Sequence, residues 1–360
     1  MSEIKNKEDI KIYTEKLWKK IEENPENIEG YRELANIYVS GEDFDSALNV
    51  YNKMLNIFKD DVQALINSGS IYFYKKDFEK AVSLYLKAST LEPNNGTIFY
   101  NLGNVYAEVG NFSNALKYYN KTIELGEEKA YVYSAIGILY QDNNDLENAR
   151  INYEKAIGLD ASNGEYYVYL ANVYQREGNL EAALNNYKKA LELNPDDSRA
   201  SLSLANICTS MNLPDEAFKY FQISTELAPN NYSVWVCFAI ALSDAGNTEK
   251  AMELYKHAIE IDPTKPNAYI LLANILINEK RYNEAIDLYN RAVKLVPESE
   301  ARGRGILYVF IANAYMLLED THNAITYYRK ALKEVPENNE VRLIYVEIMS
   351  EYIKRKVQAG

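Results

Sequence analysis

The chain has 360 residues, of which 47% are apolar and 25% are charged, a composition typical of a soluble folded protein. Its formal net charge of −13 argues against nucleic acid and anionic lipid as partners, because affinity for both comes from clustered lysine and arginine. The chain has two cysteines, no signal-peptide pattern and no apolar stretch near the roughly 20 residues of a membrane-spanning helix. We therefore expect a cytoplasmic location and no direct membrane binding.

The first predicted element is an amphipathic helix over residues 7–23. Ile10, Tyr13, Leu17 and Ile21 recur at spacings of three and four, which places them on one helical face. The opposite face is charged, as the outer face of a terminal unit in a repeat array must be. We therefore predict that residues 1–27 form an N-terminal capping helix.

A repeat of 34 residues follows this helix. Its clearest marker is a set of prolines separated by multiples of 34, namely Pro25, Pro93, Pro195, Pro229, Pro263 and Pro297. Such self-similarity indicates a solenoid built from one structural unit. Pro336 comes 39 residues after Pro297, so five residues are inserted before the last unit. The predicted repeats are 28–61, 62–95, 96–129, 130–163, 164–197, 198–231, 232–265, 266–299 and 300–338.

Three columns have no exception when each repeat is numbered from its first residue and the last repeat from Gly305. Position 8 is glycine or alanine: Ala35, Gly69, Gly103, Gly137, Ala171, Ala205, Ala239, Ala273 and Ala312. Position 20 is alanine: Ala47, Ala81, Ala115, Ala149, Ala183, Ala217, Ala251, Ala285 and Ala324. Position 24 is aromatic: Tyr51, Tyr85, Tyr119, Tyr153, Tyr187, Phe221, Tyr255, Tyr289 and Tyr328.

Each repeat is predicted to form two helices joined by a turn. Positions 4, 7, 8 and 11 share one face of a first helix, and positions 20, 24 and 27 form a stripe on a second helix. Small residues at positions 8 and 20 let the two backbones approach closely. Position 15, in the turn, suits a left-handed residue at a helix end in five repeats. Those five residues are Gly110, Asn144, Gly178, Asn212 and Gly246.

These columns closely resemble the tetratricopeptide repeat family over roughly residues 28–338. The resemblance implies an all-α fold, a right-handed α-solenoid superhelix of tandem helix-turn-helix units. It also implies a concave groove lined by the first helices, mainly at positions 2, 5, 9 and 12. Departures concentrate in repeat six, where Ser201 and Cys208 replace large aromatics and Pro214 lies in the turn. We expect repeat six to be the least stable.

The chain is predicted to end in a second capping helix, within residues 339–360. The insertion 300–304, one repeat earlier, is expected either to lengthen a helix or to bulge the joint, and so to turn the last repeat to a different angle. Arg302 and Arg304 would then lie near one edge of the groove. The inward face of the capping helix is predicted to carry Val341, Ile344, Tyr345, Ile348 and Tyr352.

The sequence offers no constellation for catalysis. His257 and His322 have no partner at metal-ligand spacing. Cys208 falls in a core position, Cys237 has no histidine near it in the pattern, and there is no glycine-rich phosphate loop. We expect no enzymatic activity, no cofactor and no metal site.

Asparagine dominates position 9, which faces the expected groove. A side-chain amide has donors and an acceptor, so a row of them would bind the backbone of an extended peptide. If they do so, the amides of Asn104, Asn172, Asn206, Asn274 and Asn313 are expected to point into the open groove and to lack intramolecular partners. The row resembles the asparagine-lined groove of the O-linked N-acetylglucosamine transferase repeats; the alternative is a polar filler common to the family. The row consists of Asn36, Asn104, Asn172, Asn206, Asn274 and Asn313.

A second mode in the family is the carboxylate clamp that holds chaperone C-termini, which uses a Lys-Asn-Asn-Lys-Arg set. Arg32, Asn36 and Asn67 fall on its first three slots, whereas Thr97 and Asn101 leave the last two uncharged. The main cations are missing, so we do not favour chaperone-tail binding. Arg32 is expected to be a solvated charge of the groove.

Two further sets of groove residues are predicted. Phe73, Tyr100 and Tyr131 lie on adjacent repeats and would form an aromatic patch. Position 5 is apolar from repeat five onward, which suits an extended or helical segment with apolar side chains or, alternatively, packing between successive first helices. The position-5 residues are Val168, Leu202, Val236, Ile270 and Val309.

The sequence therefore predicts a non-catalytic protein–protein interaction scaffold that binds a peptide segment or a helix in its concave groove. Two alternatives stay open. One is a substrate-recruiting module of a larger glycosyltransferase-like system. The other is a scaffold that associates with copies of itself.

Overall fold

The computed structural model describes residues 7–359, and within that range the chain is all-α. Residues 1–6 and 360, at the outer ends of the two predicted caps, lie outside the described residues. The chain divides inside helix α11 into two units, residues 1–186 and 187–360. The helices are α1 (Lys7–Glu23), α2 (Ile28–Ser40), α3 (Phe44–Ile57), α4 (Val62–Tyr74), α5 (Phe78–Leu91), α6 (Gly96–Glu108), α7 (Phe112–Glu124), α8 (Ala130–Asp142), α9 (Leu146–Leu159), α10 (Gly164–Arg176), α11 (Leu180–Leu193), α12 (Ser198–Ser210), α13 (Pro214–Leu227), α14 (Tyr232–Asp244), α15 (Thr248–Ile261), α16 (Pro266–Asn278), α17 (Tyr282–Leu295), α18 (Ala301–Leu317), α19 (Thr321–Glu334) and α20 (Asn339–Ala359).

From α2 to α19 the helices alternate as the first and second helices of the predicted repeats, which confirms the helix-turn-helix unit. Short polar side chains begin many of these helices by accepting a hydrogen bond from a backbone N–H of the first turn. Asp77, Asn111 and Asp145 do so at the start of three second helices, with N···Oδ1 distances of 3.3, 3.2 and 3.1 Å.

The first and second helices of a repeat pack through positions 8, 20 and 24. Every position-20 alanine and every position-24 aromatic is at most 3% exposed. In the repeats that have glycine at position 8, the ring at position 24 lies directly over it. A Cβ added to Gly103 would come within 2.5 Å of the Tyr119 ring, and one added to Gly137 within 2.6 Å of the Tyr153 ring. The predicted close approach of the two backbones is therefore confirmed.

The turn between the two helices has the same backbone in every repeat. Position 15 has a positive φ in all nine, including the four repeats that carry neither glycine nor asparagine there. Those four residues are Glu42, Lys76, Lys280 and Glu319. Together with the two asparagines, they have φ between 57° and 62°. Helix packing imposes the left-handed residue, whatever its side chain.

The insertion lengthens a helix, one of the two outcomes expected for it. Helix α18 has 17 residues, whereas the other first helices have 13. The extra turn places Arg304 against the second helix of its repeat, where its Nη2 lies 3.0 Å from Oε1 of Glu334. Arg304 therefore connects the two helices of the last repeat and does not line the cavity described below. Arg302 does line that cavity.

Both capping helices pack through part of their predicted faces. In α1, Leu17 and Ile21 are buried, but Ile10 is 41% exposed and does not join the core as predicted. In α20, Val341 is buried, and Ile344 and Ile348 pack against the core of the last repeat.

Repeat six buries small side chains at two positions where most other repeats have large aromatic ones, Ser201 at position 4 and Cys208 at position 11. Ser201, Cys208 and Ser224 are fully buried. The Ser224 hydroxyl donates to the carbonyl of Ser198 at 3.1 Å, but the Ser201 hydroxyl has no partner among the described residues. A buried unsatisfied hydroxyl costs about 1–3 kcal/mol, which is in keeping with the expected weakness of this repeat.

Candidate functional site

Three of the position-9 asparagines are held by the tyrosine of their own repeat. Because the position-24 ring lies over position 8, its hydroxyl reaches the next residue on the first helix. The Oδ1 atoms of Asn104, Asn274 and Asn313 each accept a hydrogen bond from such a hydroxyl, at 2.8, 2.6 and 2.5 Å. The expectation that these amides lack intramolecular partners is therefore wrong. Their carbonyl ends are used. Asn104 also donates a hydrogen bond to the hydroxyl of Tyr100, whereas no described residue accepts from the Nδ2 groups of Asn274 and Asn313.

The tyrosine hydroxyls stay protonated, and so remain donors, at neutral pH. Burial raises the pKa of Tyr289 to about 12 and raises the pKa of Tyr119 and Tyr328 above its ordinary value. Each phenol donates to its amide oxygen and so fixes the amide, which leaves the N–H₂ ends of Asn274 and Asn313 as donors.

In two repeats without asparagine at position 9, another side chain reaches the tyrosine. Ser70 lies 3.0 Å from the hydroxyl of Tyr85. In repeat four position 9 is Ile138, which is 38% exposed, and Gln141 at position 12 accepts from Tyr153 instead, at 3.1 Å. In repeats two and four these side chains therefore satisfy the tyrosine hydroxyl, which would be costly to bury without a partner.

The remaining asparagines of the row differ from one another. Asn36 is exposed. The position-24 tyrosine of its repeat, Tyr51, instead accepts a hydrogen bond from Asn67 of the next repeat, at 3.0 Å. Asn206 is half-buried, and the position-24 residue of its repeat, Phe221, has no hydroxyl to donate. Asn172 is half-buried and has an interaction partner.

The clamp-like residues form intramolecular contacts. Arg32 lies between Glu29 and Asp61, at 2.9 and 3.0 Å. Asp61 also caps α4 by accepting from the backbone N–H of Ala64 at 2.7 Å. Arg32 therefore joins α2 to the start of α4, in contrast to the solvated charge that we expected. Asn67 is engaged as well, because its Oδ1 accepts from Gln63 at 2.9 Å.

Of the three aromatic residues, the structure brings two together. The rings of Tyr100 and Tyr131 meet edge to face with centroids 4.8 Å apart. Phe73 instead packs on Phe78 of its own second helix, at 5.9 Å. The patch is a tyrosine pair in which both rings are half-buried.

The position-5 residues pack against their neighbours to different degrees. Val236 is only 8% exposed and belongs to the core of the second unit, so it is not an open groove residue. Ile270 and Val309 are half-buried and rest on cores of the same unit. Val168 and Leu202 are also half-buried.

A cavity of about 600 Å³ opens in the second unit between α18, the end of α19 and α20. Ile306 is 47% exposed within its lining, and Asn313 lines it as well. Sequence reasoning missed this cavity, although Ile306 at position 2 falls on the expected groove face. Its full lining is Arg302, Gly305, Ile306, Val309, Asn313, Ala331, Val335, Glu337, Asn338, Glu340, Val341 and Ile344.

The described residues provide little for other kinds of chemistry. Residues 7–359 contain no group of three potential metal ligands, and none of the described helices is long and apolar enough to cross a membrane. Cys208 is fully buried, and burial raises the pKa of its thiol, the opposite of what a nucleophilic thiolate requires. His257 packs edge-on against Trp235, with ring centroids 4.4 Å apart.

Comparison with known protein families finds tetratricopeptide repeats along more than half of the chain. Models described as tetratricopeptide repeat match residues 97–128, 130–163, 164–197, 242–307 and 306–338. A further model, described as TPR repeat, matches residues 69–110. No curated protein matches the chain.

Several solved structures are similar to parts of the chain. YrrB, described as a TPR protein with an unusual peptide-binding site, is 26% identical over 50% of this chain and 92% of its own, with a TM-score of 0.44. MamA is 21% identical over 47% of this chain and 92% of its own, also at 0.44. PilF from Pseudomonas aeruginosa is 20% identical over 61% of this chain and 97% of its own, at 0.49.

Proposed function

The chain belongs to the tetratricopeptide repeat family, whose members are generally non-catalytic protein-interaction scaffolds, and we propose that it binds an extended peptide segment of a partner protein on its first helices. The family accounts for the scaffold. The peptide segment is argued from the position-9 amides and from the cavity beside α20.

The observation that carries the proposal is the hydrogen bond from a buried tyrosine to the oxygen of a position-9 amide. In repeats eight and nine, Asn274 and Asn313 are held in this way. The Nδ2 group left over is a donor, and the matching group on an extended peptide is its backbone carbonyl. An amide that is already fixed loses little side-chain entropy when it binds.

The cavity in the second unit supplies the apolar half of such a site. Ile306, Val309 and Ile344 line it together with Asn313. An apolar cavity beside an amide donor fits one side chain of a peptide and a neighbouring backbone carbonyl. The lining has one cation, Arg302, and two carboxylates, Glu337 and Glu340; because the charges are few and of both signs, binding should depend only weakly on salt.

The test begins with a pull-down on the intact protein, followed by mass spectrometry. Peptides that tile the recovered partner are then titrated by calorimetry. We expect Asn274→Ala and Asn313→Ala each to weaken binding about 2- to 10-fold, the equivalent of one net hydrogen bond of about 0.5–1.5 kcal/mol. The double variant should show the product of the two effects if the sites are independent.

Asn120→Ala is the matched control, because Asn120 is an exposed asparagine on a second helix, α7; its affinity should be unchanged. Tyr328→Phe keeps the ring and releases the Asn313 amide, so it should weaken binding less than Asn313→Ala does. If the double variant binds with wild-type affinity and normal helicity, the asparagines are polar filler. The apolar lining of the cavity would then be the better candidate.

The two alternatives give different results in the same experiment. A substrate-recruiting module would recover a glycosyltransferase or its substrates, and a self-associating scaffold would recover mainly itself. The peptide proposal expects a partner in which one short segment accounts for the affinity.

A further inference from the structure

Helix α20 carries a second apolar face that no described residue covers. Its inward side packs on the last repeat, with Val341 buried. On the other side Leu343, Val346, Ile353 and Val357 are 72, 58, 52 and 75% exposed. Together with Ser350, which is also exposed, they form what we call the α20 seam.

The spacing of the seam is that of a coiled coil. From Leu343 to Val357 the steps are three, four, three and four residues, which is the a/d pattern of two heptads. A helix that packs on a globular core normally shows a broader apolar stripe. The seam therefore suits one partner helix lying alongside α20.

A second helix of the repeat type does not fit this face. Asn339 follows Gly305 by 34 residues, so α20 begins in phase with the repeats and Val346 occupies position 8. All nine repeats have glycine or alanine there, and in three of them the position-24 ring rests on the glycine, as Tyr153 does on Gly137. The branched side chain of Val346 prevents that close packing and fits the wider helix separation of a coiled coil, about 8–10 Å.

We infer that the α20 seam binds the α20 helix of a second copy of this chain in antiparallel orientation. The positions that flank the seam on one side are Glu347 and Lys354, which are exposed and of opposite charge. In an antiparallel pair each Glu347 lies opposite the Lys354 of the other copy, while Val346 packs beside Val357 and Ser350 beside Ile353. The helix thus complements itself in both shape and charge, independently of any peptide binding.

The association should be weak and reversible. Two heptads bury less than the roughly 1,200 Å² of a standard interface, and the polar Ser350 in the seam lowers affinity while favouring one register. We expect a dissociation constant on the order of 10–100 μM.

Sedimentation velocity on the full chain between about 2 and 400 μM tests the inference. We expect the wild type to pass from monomer to dimer over this range, and a variant with Val346→Glu and Ile353→Glu to stay monomeric. Both substituted residues are exposed, so helicity and thermal unfolding should be unchanged. Leu159→Glu on α9 is the matched control, because Leu159 is equally exposed, at 51%; this variant should dimerise as the wild type does.

The orientation is tested by charge reversal. Lys354→Glu places like charges opposite each other in the antiparallel pair and should weaken association at least 10-fold, and adding Glu347→Lys should restore it. A wild type that is monomeric at 400 μM would overturn the inference. So would a dimer that the glutamate substitutions leave intact. A dimer that is insensitive to Lys354→Glu would show that the antiparallel assignment is wrong.

Discussion

At position 24 one aromatic ring performs two functions. Its face covers the small residue at position 8, as Tyr119 covers Gly103, and its hydroxyl holds the asparagine at position 9, as Tyr119 holds Asn104. The sequence predicts the first function, because the column of aromatics faces a column of small residues. It does not predict the second, since whether the hydroxyl reaches position 9 depends on how deeply the ring inserts.

The turn residues show a similar division. Glycine and asparagine at position 15 predict five left-handed residues, and the structure has nine. The other four, Lys76 among them, carry side chains that do not favour this backbone. A glycine or asparagine at position 15 is enough to predict the turn from the sequence. In the four repeats without one, the packing of the two helices imposes the same left-handed backbone.

Lys76→Gly should therefore stabilise the chain by about 1 kcal/mol. Lys76 has a φ of 61°, and a left-handed L-residue is strained by roughly 1–2 kcal/mol. Glycine removes this strain, but part of the gain is offset by the extra backbone entropy that glycine loses on folding. Denaturant unfolding followed by circular dichroism measures the change. Lys76→Ala is the control and should leave stability nearly unchanged, because it keeps the strain. A glycine variant no more stable than the alanine variant would contradict the argument.

At the scale of elements, the helices follow from the sequence and the cavity does not. Position 8, position 20 and the turn columns fix where each pair of helices begins and ends. The cavity depends on the extra turn of α18 and on the placement of α20 beside it. The 34-residue period places α20 after α18 and α19, but it does not contain the inserted residues, so it does not predict how the longer α18 and α20 enclose a cavity.

Repeat six should exchange its amide hydrogens faster than repeats three to five. It buries the unpartnered hydroxyl of Ser201, and its position-24 residue, Phe221, has no hydroxyl to hold Asn206. In repeat arrays local stability is roughly a sum of repeat and nearest-neighbour terms, so the deficit should be local. Native-state hydrogen exchange of α12 and α13, compared with α6 to α9, measures it.

Ser201→Ala should slow exchange in α12 about 5-fold or more, because it removes an unsatisfied group that costs about 1–3 kcal/mol. Ser68→Ala is the matched variant, since the Ser68 hydroxyl is also buried without a partner, and it should slow exchange in α4 and leave α12 unaffected. Uniform protection along the wild-type array would contradict the prediction for repeat six.

At the scale of the whole molecule, stability depends on the repeated core far more than on charge. Most described ion pairs are exposed, such as Lys121 with Glu124 and Lys189 with Glu192, and pairs of that kind contribute about 0–1 kcal/mol each. The alanine and aromatic columns are buried in every repeat of both units. A condition that affects position 24 therefore acts on nearly every repeat at once.

High pH is such a condition. Burial raises the pKa of all eight position-24 tyrosines, for Tyr289 to about 12, whereas in the unfolded chain they ionise near 10. The folded state then holds protons that the unfolded state releases, so the stabilisation is complete below pH 10 and is lost as the pH rises toward 12. Each such tyrosine lowers the free energy of unfolding by up to about 1.4 kcal/mol per pH unit in that window.

We expect helicity to collapse cooperatively above pH 10, together with a late step in tyrosinate absorbance at 295 nm, after the exposed tyrosines have titrated. Phe221→Tyr adds a ninth tyrosine at position 24 and should shift the midpoint downward, whereas Tyr289→Phe removes one and should shift it upward. Titration of all 32 tyrosines in one step near pH 10, with helicity retained, would contradict the prediction.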